Sequence, residues 1–276
     1  MADLSRDQSL TVLRWLVEAG ADEAIGEHPI DRFAPKIPTP VAPARERASV
    51  FPRVESGKSA TVQSAEAVSL STVPGAARAL VASCTSLAEL KAAMESFEGC
   101  DLKRQATKTV FADGVAESRI MLIGEAPGRD EDLAGLPFVG RAGKLLDRML
   151  AEIGLDRTKV YITNVLPWRP PQNRDPSPEE AATCLPFLRR HIELARPEIL
   201  ILLGAVSVRH VLGLTEGITR LRGKWEIYQT LGANPRAIPA MPTLHPAYLL
   251  RQPAAKRLVW RDLLAIREKI EQLGLA

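Results

Sequence analysis

The chain has 276 residues, 46% of them hydrophobic, with 36 basic and 33 acidic side chains and a net charge of +3. That is enough apolar material for one large domain or two small ones, and the mild positive charge permits nucleic-acid binding without demanding it. Three cysteines without a pairing pattern (Cys84, Cys100, Cys184) and no run of about 18 apolar residues exclude a disulfide-stapled scaffold and a membrane-spanning chain. The first residues, Met1 to Asp7, show no basic stretch leading into an apolar one, so a cytoplasmic protein without a signal peptide is expected.

In chain order, residues 1–25 carry a short amphipathic helix, with Leu10, Leu13, Leu16 and Val17 at helical spacing and Gly20 ending it. Residues 26–84 hold prolines among Ala, Ser, Thr and Val without sustained periodicity, and read as a disordered linker. The folded domain is expected over 85–276. Ser86-Leu87-Ala88-Glu89 is a capping box that opens a helix to about Phe97. Apolar runs at 119–123, 160–164, 198–203 and 238–243 predict four strands. Helices are expected over 143–153, 178–195 (Ser177 cap, Pro178 at the first position, Glu179 and Glu180 in the first turn), 205–212 and 254–272. This alternation predicts an α/β fold: a three-layer α/β/α sandwich around a mostly parallel four-stranded sheet. Ligands in such folds sit beyond the carboxyl ends of the strands.

Four stretches fall at or near those ends. Gly124-Glu125-Ala126-Pro127-Gly128 is a tight turn with exposed backbone N–H groups, and lacks dinucleotide-fingerprint spacing. Phe138, between Pro137 and Gly140, is an aromatic on a stiffened loop where a base could stack. Asn164 ends a strand with a donor and an acceptor in one plane, which suits a pyrimidine edge. His245 is held in direction by Pro246. Each also has an ordinary reading: a strand-to-helix turn, a core plug, a capping Asn and a structural histidine.

Together the four stretches resemble family 4 uracil-DNA glycosylases. The resemblance covers about residues 95–270 and includes Arg169-Pro170-Pro171-Gln172-Asn173-Arg174 and Leu203-Gly204. It implies a monofunctional enzyme that flips uracil from DNA and hydrolyses its N-glycosidic bond, starting base excision repair. By resemblance, Glu125, Asn164 and His245 are catalytic: Glu125 handles the attacking water, Asn164 reads the uracil edge and His245 donates toward uracil O2. Gly124, Ala126, Gly128 and Phe138 complete the uracil-binding set. Glu131 or Asp132 borders the C5 position and disfavours thymine. The apolar pair Leu249-Leu250 resembles a wedge that enters the base stack, with Arg169, Arg174 and Arg251 as phosphate contacts.

The chain departs from the family at the 4Fe–4S cluster. The matching positions are Phe97, Cys100, Trp168 and Cys184, only two of them Cys. A cluster of this type wants four thiolates, so no cofactor is expected; Cys84 as a stand-in still leaves one ligand short. Aromatic packing should fill the site. The sister type that links covalently to DNA carries a basic insertion and a Gln in its first motif, neither present here. The broad-range type lacks a polar residue where this chain has Glu125. A monomer acting on uracil-containing DNA is expected, with the N-terminal helix as a candidate docking peptide for a protein partner. The competing reading is a catalytically inactive DNA-binding scaffold.

Overall fold

The computed structural model describes residues 73–231 and 235–275. The helix expected within 1–25 and most of the 26–84 linker lie outside the described residues. The linker reading does not extend to its end: Val73–Ala82 form a helix (α1) whose Ala77 and Val81 are buried in the core. Its apolar face is only Ala77, Leu80 and Val81, and the remaining alanines with Pro74 and Gly75 give the segment a linker-like composition.

The domain is an α/β fold with helices on both faces of a sheet. Four strands are those expected: β2 (Ile120–Gly124), β3 (Tyr161–Asn164), β4 (Ile199–Leu203) and β6 (Ala237–Thr243). They are parallel and lie in the order β3-β2-β4-β6. Among the described residues the sheet has six strands rather than four. Asp113–Gly114 (β1) pairs antiparallel with β3, and Glu226–Gln229 (β5) antiparallel with β6. Two residues carry no period, and Glu-Ile-Tyr-Gln faces solvent at alternate positions, so neither edge strand reads as a buried run.

The two central strands, β2 and β4, are apolar throughout because both faces are covered. Along β2, Ile120 and Leu122 point to one core, and Met121 and Ile123 to the other. The first core is closed by Arg141–Ala151 (α5), Pro246–Arg251 (α9) and Lys256–Gln272 (α10). The second is closed by α1, Leu87–Ser96 (α2), Pro178–Ala195 (α6) and Ala205–Leu212 (α7), with Asp101–Gln105 (α3) and the short Ile218–Leu221 (α8) beside them. Ser177 and Glu180 cap α6 reciprocally, as their spacing predicts. Among the described residues no helix is long and apolar enough to cross a membrane.

Candidate active site

The parallel register sets Gly124 directly opposite Asn164. The ladder continues past both strands, with Val165 N–H donating to Gly124 O and Leu166 N–H to Glu125 O, both at 3.0 Å. The turn after β2 and the end of β3 are thereby locked side by side. On the neighbouring pair, Gly204 N–H donates to Thr243 O at 2.9 Å, just before His245. Gly204 has φ +99°, and a Cβ there would stand 3.1 Å from His245 Cβ, so glycine admits the histidine at this crossing.

These elements surround a cavity of about 470 Å³, lined by Glu125, Ala126, Gly128, Phe138, Asn164 and His245 among others. Residues from all four stretches therefore face one space. The Phe138 and His245 ring centroids are 5.6 Å apart, tilted by 30°. A Cβ on Gly124 would lie 2.5 Å from Phe138 Cζ and would also strike Asn164 Oδ1. Phe138 is 5% exposed, so it packs into the core and lines the cavity at once.

Phe138 adopts φ +55°, in the left-handed region. For a non-glycine residue this costs about 1–3 kcal/mol and persists only where surrounding contacts impose it. Here α5 presses on it from one side, since a Cβ on Gly143 would overlap the Phe138 carbonyl. From the other side the Arg157 guanidinium donates to Pro137 O at 3.2 Å and to Phe138 O.

Asn164 is 6% exposed, and its Oδ1 is buried with no hydrogen-bond partner among the described residues. Leaving such an acceptor unpaired costs about 1–3 kcal/mol, which a ligand N–H would recover. His245 Nδ1 accepts the Ala247 N–H at 3.1 Å, so a neutral ring carries its proton on Nε2. Burial first, then the positive charge of Arg251, pull the His245 pKa down to about 4. Glu125 is half-buried, and desolvation followed by repulsion from Asp175 raises its pKa, with Arg209 and Arg251 opposing.

Two readings at the rim change. Asp132 is turned away: its carboxylate accepts from Thr107 N–H (2.8 Å), Thr107 Oγ1–H (2.9 Å) and Lys108 N–H (3.2 Å). Glu131 lines the cavity, and its two oxygens accept from Gly128 N–H (3.1 Å) and Gly140 N–H (2.8 Å). It thus ties the N-termini of Arg129–Ala134 (α4) and α5 together across the pocket, where helix dipoles favour an anion. Leu249 is 1% exposed and sits in the core against α5 and α10, so it is no wedge. Tyr248 and Leu250 are the exposed apolar side chains of α9, at 38% and 37%. Arg251 and Arg174 line the cavity rim; Arg174 is held by Glu180, and Arg169 Nε donates to Asn173 Oδ1 at 2.8 Å. Arg157, Arg209 and Asp175 are absent from the sequence reading, because they act through backbone carbonyls or at a distance and form no motif.

The cluster positions do not fit four-thiolate ligation. Trp168 is fully buried, with its indole N–H donating to Thr109 Oγ1 at 3.0 Å. Phe97 packs edge-to-face on Phe187 at 5.2 Å. Cys100 and Cys184 are buried thiols, and contact with Cys100 followed by desolvation pushes Cys184 well above its ordinary range. Cys84 engages Leu80 O at 3.5 Å.

A family model described as the uracil DNA glycosylase superfamily matches residues 111–264. The chain is similar to the type-4 uracil-DNA glycosylase of Archaeoglobus fulgidus, 41% identical over 187 residues that cover 66% of this chain and 92% of that protein. The type-4 enzyme of Sulfurisphaera tokodaii is 39% identical over 188 residues, covering 66% of this chain and 84% of its own length. That of Thermotoga maritima is 40% identical over 181 residues, covering 63% and 90%. With over half of the chain matched by the family model and most of each relative covered, the chain belongs to the uracil DNA glycosylase superfamily.

Proposed function

We propose that the protein excises uracil from DNA by hydrolysing the bond between N1 of the base and C1′ of the sugar, as the first step of base excision repair. The observation that carries this reading is the unpartnered, buried Oδ1 of Asn164, which shares one cavity with the Phe138 ring and a neutral His245. The extruded base stacks on Phe138, which recovers about 1–3 kcal/mol of the unstacking cost. Asn164 Oδ1 accepts uracil N3–H and its Nδ2 donates to O4. Cytosine has no proton at N3 and presents an amine at the next position, so both bonds are lost with it.

As the C1′–N1 bond breaks, its electron pair leaves with the base and negative charge develops on uracil O2. His245 Nε2–H donates to that oxygen; donors aimed at developing charge contribute about 3 kcal/mol each. Glu125 faces the same cavity as a carboxylate, stabilises the cationic sugar and takes a proton from the water whose oxygen joins C1′. The side chains lining the cavity, among the described residues, include no lysine amine, which supports hydrolysis rather than a covalent imine. Glu131 borders the base as the clamp between two loops. Leu250 and Tyr248 enter the stack, and Arg251 takes the phosphate nearest the pocket. The chemistry calls on no metal, and the aromatic filling of the cluster positions supports an enzyme that folds without a 4Fe–4S centre.

An end-labelled oligonucleotide with a single uracil tests this. Alkali-labile cleavage at that position, lost in Asn164→Ala, is expected. Tight binding without base release would instead establish a non-catalytic scaffold.

A further inference from the structure

We infer that Arg157 is a positioning residue that holds the base-stacking ring of Phe138 in its strained, working orientation; the inference rests on the excision reading above. Arg157 lies in the loop between α5 and β3, outside the residues that line the cavity. Its guanidinium reaches three elements. Nε donates to Asp147 Oδ1 of α5 at 2.8 Å, Nη1 to the Asp113 carboxylate of β1, and Nη1 and Nη2 to the carbonyls of Pro137 and Phe138. The side chain is only 26% exposed, so the fork is screened from most of the solvent that would compete for these carbonyls.

This arrangement answers a question posed by the backbone. Phe138 has φ +55°, which a phenylalanine leaves unless it is held. Gly143 permits α5 to close on the Phe138 carbonyl, and Arg157 bonds the same carbonyl. The two carboxylates aim the guanidinium rather than touch the loop. A planar fork with five donors can serve two carbonyls and two carboxylates together; a lysine ammonium cannot span them. With the carbonyls released, the peptide relaxes out of the left-handed region. The ring then leaves its place beside His245 and over Gly124.

The test is a double-mutant cycle in single-turnover excision at saturating enzyme, with wild type, Arg157→Lys, Phe138→Ala and the double variant, and thermal melts of each. Arg157→Lys is expected to lower the chemical rate by about 100-fold, the scale of a 1 Å misplacement, with little change in DNA affinity. Combined with Phe138→Ala it should add nothing further, because both remove one interaction. Losses that multiply in the double variant, or a wild-type rate in Arg157→Lys, would overturn the proposal. Should Arg157→Lys fail to fold, the same cycle is run with Asp113→Asn, which only misaims the guanidinium; about a tenfold loss that vanishes beside Phe138→Ala is expected, and multiplying losses overturn the proposal equally. A wild type that excises uracil while the cycle shows no coupling removes the positioning role alone, whereas a wild type that releases no base removes both readings.

Discussion

Asn164 stands directly across the β2–β3 ladder from Gly124, and a Cβ on Gly124 would collide with its amide oxygen. Among the described residues that oxygen is buried and unpaired, so the free protein carries a polar group that destabilises it and that, in the proposed reading, an extruded base satisfies. Asn164→Ala should therefore lower single-turnover excision by at least about 100-fold while leaving the melting temperature unchanged or raised by a few degrees. A loss of activity accompanied by a large fall in melting temperature would assign Asn164 to the core instead.

The pH dependence of excision follows from Glu125, whose pKa is raised from its ordinary 4.5 by desolvation and then by Asp175. In the proposed mechanism catalysis needs the carboxylate, so activity should fall on the acid side, with a midpoint above 4.5. Asp175→Asn removes a raising influence and should move that limb to lower pH. Arg209→Gln removes a lowering one and should move it to higher pH. Single-turnover rates across the acid range check both directions, and a shift of the same sign in the two variants would contradict the assignment.

His245 should leave no step in that profile near its ordinary 6.5, because burial and Arg251 keep it neutral down to about 4. Its proposed contribution is a hydrogen bond donated from Nε2, so His245→Ala should cost about 10²–10³-fold in rate. A rate that titrates near 6.5 in wild type and not in the variant would mean that the imidazolium is the working form.

Stability should carry a separate acid dependence through His191. It is buried against Phe111, shares a 2.8 Å hydrogen bond with Tyr161, and desolvation pulls its pKa from 6.5 to about 3. The folded state thus binds fewer protons than the unfolded one between these values. The stability from His191 is full above pH 6.5 and is lost progressively as pH falls toward about 3. Melting temperatures should drop over that window, and less steeply in His191→Gln; equal slopes would place the acid lability elsewhere.

The aromatics Phe97 and Trp168 yield a stability prediction of their own. Replacing a fully buried aromatic leaves a cavity, so Trp168→Cys should lose about 3–5 kcal/mol, and Phe97→Cys a comparable amount. Denaturant unfolding of the single and double variants measures this. A double variant as stable as wild type without bound iron would show that aromatic packing does not carry this region.

Much of this was legible before the structure because each strand end coincided with a motif. The apolar runs ending at Gly124 and Asn164 located β2 and β3, and Pro246 after His245 located the third loop. The short pieces were not legible: β1 has two residues, α1 is alanine-rich, and β5 is four residues that turn Ile227 and Gln229 to solvent. Leu249 and Leu250 read as one apolar pair, but α9 turns them about 100° apart, so one packs in the core and one faces outward. Arg157 gave no signal, since its partners are backbone carbonyls and carboxylates distant in the chain.

The most direct test is quantitation of free uracil released from base-labelled DNA by wild type, Phe138→Ala, Asn164→Ala and His245→Ala under single-turnover conditions. One pocket closing on one base predicts stoichiometric release by wild type and a deep loss in all three variants while each keeps its fold. Absence of free uracil from the wild-type reaction, or undiminished release by any of the three, would contradict it.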